Sequence, residues 1–243
     1  MLHGIGGGSG SWLPQLETLG DRFRLIAWDA PGYGTSTLMN NTSPSANDYA
    51  AALTRFLDAL QIERCVLVGQ SLGALMATAF ARALPNRLHG LLLLGPAAGY
   101  GAASQAKRDE ILAGRLDAMT KLGPAGMAAT RAGALLATDA APEARELVAD
   151  GMRRLRPDGF AQAARLLVNG DLAADARHVR LTTLVGCGTV DTITPEAGCR
   201  ALAAAFANCQ YHAIPGAGHA SNIDQPARVN ALIERFAMDV RAL

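Results

Sequence analysis

Much of what this chain can become is decided between residues 65 and 83. An apolar run, Cys65 to Gly69, leads without a break into Gly69-Gln70-Ser71-Leu72-Gly73, and the apolar stretch Leu72 to Ala83 continues at helical period. A G-x-S-x-G pentapeptide between a strand and a helix specifies a very sharp turn: a Cβ at Gly69 or Gly73 would strike neighbouring backbone, and the central serine is held strained with its hydroxyl exposed. Ser71 would then stand at the amino end of a helix, where free N–H groups and the dipole favour developing negative charge. In this context Ser71 reads as a nucleophile, and a plain turn is the alternative.

The same alternation of short runs and longer helical segments extends through the chain. Leu25 to Trp28, Cys65 to Gly69, Leu91 to Leu94, Thr183 to Gly186 and Gln210 to Ile214 are strand candidates, the pattern of a mostly parallel sheet covered by helices on both faces. Ser45 and Asp48 form a capping-box pattern ahead of Tyr49, Leu53, Phe56, Leu57 and Leu60, while Val229, Leu232, Ile233, Phe236 and Val240 repeat the stripe near the carboxyl end. From about Ala97 to about Arg180 no strand signal remains, and helical segments break at Gly123-Pro124, Pro142 and Pro157. The predicted organisation is an α/β core over 1–96 and 181–243, with a helical cap inserted over 97–180.

A serine hydroxyl is a poor nucleophile near neutral pH, so it needs a base, and the base needs an orienting acid. His219 follows the last predicted strand in Gly216-Ala217-Gly218-His219, where a mobile catalytic imidazole is expected; His89 begins a strand, His178 lies before one and His212 inside one, and all three read as core or surface residues. Asp191 stands on the loop leaving the penultimate strand, just before Thr194-Pro195 opens a helix. The earlier loop position offers only Gly95-Pro96-Ala97-Ala98, without a carboxylate, and Asp224 reads better as a cap of the last helix than as the acid.

An oxyanion needs two preorganised N–H donors. Leu72, next to the nucleophile, is one candidate; Ile5, in the glycine-rich turn His3-Gly4-Ile5-Gly6-Gly7-Gly8, is the other. A phosphate-cradling reading of these glycines fails because no Gly-Lys-Ser/Thr follows and no dinucleotide-type strand precedes.

Charge excludes other classes. The chain holds 22 Lys plus Arg against 21 Asp plus Glu, so no broad positive field awaits a nucleic acid or an anionic membrane. Cys65, Cys187, Cys199 and Cys209 lack C-x-x-C spacing and read as reduced core thiols, so no metal site is expected, and the serine chemistry itself requires neither metal nor organic cofactor. With no basic leader and no apolar run of about 20 residues, a cytoplasmic protein is expected. Homo-oligomerisation stays open.

These residues together resemble the α/β-hydrolase superfamily over essentially the full length. Asp29-Ala30-Pro31-Gly32-Tyr33-Gly34-Thr35-Ser36 is similar to that family's D-x-P-G-x-G-x-S turn, which is structural. Gly218-His219-Ala220-Ser221-Asn222-Ile223-Asp224-Gln225-Pro226 and Thr194-Pro195-Glu196 are similar to phrases of 3-oxoadipate enol-lactonases, although related esterases and carbon–carbon bond hydrolases share most of them. The resemblance implies hydrolysis of a small-molecule ester or lactone through an acyl-enzyme on Ser71, without cofactor. A carbon–carbon bond hydrolase or cofactor-free oxidoreductase on the same triad, and a ligand-binding receptor that keeps it, are the alternatives.

One departure stands out. In this family two strands precede the one feeding the H-G turn, whereas here only Met1 and Leu2 precede His3. The expectation is a full protein with some twenty or more further residues at its amino end, judged from ordinary strand lengths. Within the cap, Met119, Met127, Leu135 and Leu136 are candidates for a pocket wall, with packing inside the cap as the competing reading. Arg131 could pair with a substrate carboxylate, or be a solvated surface arginine.

Overall fold

The computed structural model describes residues 1–241; the last two positions of the predicted 181–243 core piece lie outside them. Four strands form one wholly parallel sheet in the order β1-β2-β3-β4: β1 (Cys65–Gln70), β2 (Leu88–Leu94), β3 (Thr183–Gly188) and β4 (Cys209–Ile214). Around them, in chain order, run α1 (Leu13–Leu19), α2 (Ala46–Ala59), α3 (Leu72–Ala83), α4 (Gln105–Arg131), α5 (Pro142–Arg153), α6 (Pro157–Asn169), α7 (Leu172–Ala176), α8 (Glu196–Ala205), α9 (Ser221–Asp224) and α10 (Pro226–Arg241).

The period-two alternation of a strand explains how both faces are covered. Leu67, Leu91, Leu93 and Val185 join a core with α2, α3 and α8, while Val68, Leu92, Leu94 and Leu184 face α1 and α10. The unbroken leucines of β2 are what a strand buried on both sides requires. The Ser45–Asp48 capping box forms at the start of α2, and the stripe from Val229 to Val240 is buried along α10.

Between β2 and β3 the chain is helical, and the sequence breaks mark where each helix turns. Pro142 and Pro157 open α5 and α6 at their first positions, where a missing N–H leaves no bond unmade. Gly123, at φ 61°, ends the first half of α4, and Pro124 begins the second. Gln162 of α6 ties this layer to the core: its Nε2 donates to the Met39 and Asn41 carbonyls at 2.8 and 2.9 Å.

Leu25 to Trp28 does not form the strand expected of it. Its neighbour is Met1–Leu2, which offers it just two backbone bonds, Met1 N to Ile26 O at 2.7 Å and Trp28 N to Met1 O at 3.3 Å. Two bonds are too few for a ladder, so the segment runs extended without pairing. Leu2 in turn bridges β1, its N–H donating to Val68 O at 2.8 Å and its carbonyl accepting from Gln70 N–H at 2.9 Å. No helix among the described residues is long and apolar enough to cross a membrane.

Candidate active site

In a parallel sheet every strand ends on the same rim, so the loops after β1, β2, β3 and β4 gather there. The chain leaves β1 through Ser71, which adopts φ 52° and ψ −114°. Few non-glycine residues occupy such a conformation, and this one is held from both sides: the Ser71 N–H donates to Leu94 O at 2.9 Å, and its carbonyl accepts from Ala74 and Ala97 N–H. The flanking glycines are required by contact. A Cβ on Gly69 would sit 2.7 Å from the Gly73 carbonyl oxygen, and one on Gly73 would sit 2.4 Å from the Leu2 carbonyl oxygen.

Beyond β3, Asp191 is anchored at every lone pair the loop can reach. Its Oδ1 accepts the Ile193 and Thr194 N–H groups at 2.8 and 2.9 Å, and its Oδ2 accepts the Thr194 hydroxyl at 2.8 Å. The same Oδ2 lies 2.9 Å from His219 Nδ1. Burial acts to raise the Asp191 carboxyl, but the His219 hydrogen bond and charge together with the Thr194 donors outweigh it and hold the group below the usual carboxylate range. Asp191 is therefore an anion at neutral pH, and it fixes the imidazole with Nδ1 toward the acid and Nε2 free.

His219 itself rides on the loop after β4. Gln70, the variable residue before the serine, donates from Nε2 to the His219 carbonyl at 3.1 Å and so links the two loops directly. Asp224 does not cap the last helix. It closes the short α9, and its Oδ2 accepts the Gly218 N–H at 2.6 Å and the Ala137 N–H at 2.8 Å, pinning the histidine loop to the segment that leads into α5.

Gly95, at the end of β2, supplies what the sequence reading missed there. With φ 48°, it presents no side chain where a Cβ would lie 3.2 Å from Asp191 Oδ2 and 3.3 Å from His219 Nδ1. Its role is to leave room for the acid–imidazole pair. Thr194 was equally legible only in part: a threonine three residues after an aspartate is a turn signal, but its second contact, 3.1 Å from His219 Nδ1, is tertiary.

The H-G turn is fixed from downstream. Ala30 N–H donates to His3 Nε2 at 3.1 Å, so the proton sits on Nδ1, which donates to the Gly4 carbonyl at 2.8 Å. Burial pushes the His3 pKa down and keeps this ring neutral. Gly7 N–H also donates to the Gly4 carbonyl, at 3.1 Å. Because a trans peptide points its C=O and N–H in opposite directions, these bonds aim the Ile5 N–H away from His3. Tyr33 completes the clamp by donating its hydroxyl to the Ile5 carbonyl at 3.0 Å.

Ser71, His219, Ile5 and Leu72 line one cavity of roughly 490 Å³ between the rim and the helices above it. Asp191 lies behind, and the three polar residues are nearly enclosed, with Ser71, Asp191 and His219 exposed by 9%, 6% and 4%. Ser71 Oγ makes no hydrogen bond to His219 among the described residues, so imidazole and hydroxyl share the cavity without being joined. Of the proposed wall residues, Met127 and Leu135 face this space, whereas Met119 and Leu136 are buried away from it. No cluster of three or more potential metal ligands occurs among the described residues.

Many known proteins are similar to this chain in sequence or fold. The chain is 29% identical to a protein of Escherichia coli that bears the name carbamate hydrolase RutD, over 96% of this chain and 88% of RutD. Its structure is similar to that of a thermophilic esterase from Thermogutta terrifontis solved with malate bound, at TM-score 0.88 and 28% identity, covering 98% of this chain and 88% of the esterase. The enol-lactonase of Burkholderia xenovorans LB400 shares the fold at TM-score 0.86 and 24% identity, over 97% of this chain and 88% of the lactonase. Residues 1–232 match the alpha/beta hydrolase family. With that span matched and this sheet, turn and rim in place, the chain belongs to the alpha/beta hydrolase family.

Proposed function

We propose that this chain is a serine hydrolase that cleaves a small ester or lactone through an acyl-enzyme, with Ser71 as nucleophile, His219 as base and Asp191 as the orienting acid. The observation that carries the reading is the Asp191–His219 bond at 2.9 Å, facing the same cavity as a serine strained at φ 52°. An ionised, buried carboxylate on Nδ1 leaves Nε2 unprotonated, the tautomer a general base requires.

In the first half-reaction His219 Nε2 takes the proton of Ser71 Oγ as the oxygen attacks the carbonyl carbon. The carbonyl oxygen becomes an oxyanion, which the N–H groups of Leu72 and Ile5 receive; both line the cavity, and the His3–Gly4–Tyr33 clamp holds Ile5 in advance. Collapse expels the alkoxide, which takes the proton from His219; a lactone keeps this alkoxide on its own acyl chain. Water then repeats the sequence against the acyl-enzyme, and Ser71 is regenerated. The serine–imidazole bond forms when substrate orients the hydroxyl, since such bonds are often loose without ligand.

Turnover of p-nitrophenyl acetate or butyrate, abolished in Ser71→Ala, is the expected result. Tight ligand binding without turnover, unchanged by that substitution, would instead mark a receptor. Likeness to RutD supports a second substrate type, a carbamate, whose carbonyl the same groups would attack; a panel of short esters, lactones and carbamates ranks the three.

A further inference from the structure

The helices above the rim contain several arginines, and most are spoken for. Arg153 pairs with Glu146, Arg154 with Asp150, Arg156 donates to Ser36 O, Arg165 to Ala161 O, and Arg145 to the carbonyls of Thr138 and Ala140. Arg115 and Arg131 differ. Neither forms a salt bridge or hydrogen bond to an acidic side chain among the described residues, and the Arg115 Nε is buried with no partner at all.

Both belong to α4, sixteen positions apart, on either side of the Gly123 break, and both line the cavity that holds Ser71 and His219. Among the described residues they are the only arginines in its wall, and no aspartate, glutamate or lysine lines it. The rest is largely apolar, with Met127, Leu135, Val148, Met152 and Phe160 among its residues. Burial acts against the Arg115 cation most, the Tyr100 hydroxyl beside it acts in its favour, and the charge of Arg131 opposes it again. A guanidinium keeps its charge at neutral pH regardless. Arg131 is exposed and reaches the cavity from its mouth, whereas the half-buried Arg115 carries an unmade bond that an anion in the cavity would complete.

We propose that Arg115 and Arg131 form an anion subsite, and that the substrate is an ester or lactone carrying a carboxylate remote from the scissile carbonyl. The subsite rests on the hydrolase reading for its place in the reaction, but not for its binding of an anion. A carboxylate held by a planar guanidinium fork gains charge-assisted bonds and orients the remaining chain along the apolar wall toward Ser71. Neutral esters of the same length would lack that anchor.

The test compares mono-p-nitrophenyl glutarate with p-nitrophenyl pentanoate, which has the same acyl length without the carboxylate. Wild-type protein is expected to favour the glutarate monoester in kcat/KM by about tenfold or more, the scale of a hydrogen bond to a charged group. Arg115→Met, which keeps an apolar stem, should erase most of that preference while pentanoate turnover stays within about twofold; Arg131→Met should erase part, and Arg115→Lys should restore part. A wild-type preference for pentanoate, or an equal loss on both esters in Arg115→Met, overturns the subsite. Calorimetric titration of glutarate into Ser71→Ala protein is independent of turnover: binding that weakens in Ser71→Ala/Arg115→Met supports the subsite even if neither ester is cleaved, and no binding overturns it. Failure of both esters with intact glutarate binding would fault the hydrolase reading alone.

Discussion

At the sheet rim, the carboxylate of Asp191 has four donors around its two oxygens, from Ile193, Thr194 twice and His219. In the helices above, the guanidinium of Arg115 has a buried nitrogen with none. The rim is a finished network, built from backbone N–H groups and short side chains that cannot move without breaking several bonds at once. The wall facing it is largely apolar and carries two long arginine side chains on a kinked helix, one of them with a bond the protein does not complete. A catalytic group has to be placed before substrate arrives, whereas a recognition group is free to complete its bonds with the substrate itself.

If this division holds, changes at the rim should remove rate and changes in the wall should redirect it. The largest effect is expected from Ser71→Ala, which should lower kcat by about 10⁴-fold or more on every ester while leaving the circular dichroism spectrum unchanged. Asp191→Asn keeps the shape of the loop but reverses the donor logic at His219 Nδ1, and a fall of about 10³- to 10⁴-fold in kcat is expected, with KM little altered.

The same variant gives a pH signature. Because the folded Asp191 carboxyl lies below the usual range, its stabilisation is fully present at neutral pH and is lost only as pH falls through that depressed value. Urea unfolding should therefore show wild type more stable than Asp191→Asn at pH 7, with the gap closing as pH falls below the ordinary carboxylate range. A gap that widens in acid would reverse the assigned sign.

Gly95→Ala probes how little slack the rim has. A methyl there meets the acid–imidazole pair at 3.2 to 3.3 Å on a backbone at positive φ, so a loss of about 1 to 2 kcal/mol in stability and a clear loss of kcat are expected together. Gln162→Ala, in α6 among the helices between β2 and β3, should be the mildest. It strips the Met39 and Asn41 carbonyls of their donor, for about 1 kcal/mol in thermal or urea unfolding, and leaves kcat on a small ester close to wild type. Equal rate losses at Gly95 and Gln162 would erase the distinction between the two layers.

The sequence showed the rim better than the wall, for a physical reason. Ser71, Asp191 and His219 are marked by local rules: two glycines that backbone contact demands, a turn three residues long, a loop at a strand's end. Leu25 to Trp28 has strand composition, but a strand needs a neighbour with enough bonds, and Met1–Leu2 provides two. Asp224 sits just ahead of α10 and so imitates a cap; its partners, Gly218 and Ala137, are set by folding, the second of them 87 positions away. Gln70 occupies the position the motif leaves open. Arg115 was the hardest to see, because a charged residue on a helix ordinarily faces water, and only the bend at Gly123 brings it and Arg131 to one cavity.

Everything on the rim converges on the hydroxyl of Ser71, and chemical labelling reads that group without a chosen substrate. After reaction with a fluorophosphonate, peptide mass spectrometry should find one adduct on Ser71, absent from Ser71→Ala and strongly reduced in His219→Ala. An adduct on a different serine, or undiminished labelling without the imidazole, would mean that the strained turn and the Asp191–His219 pair do not work together.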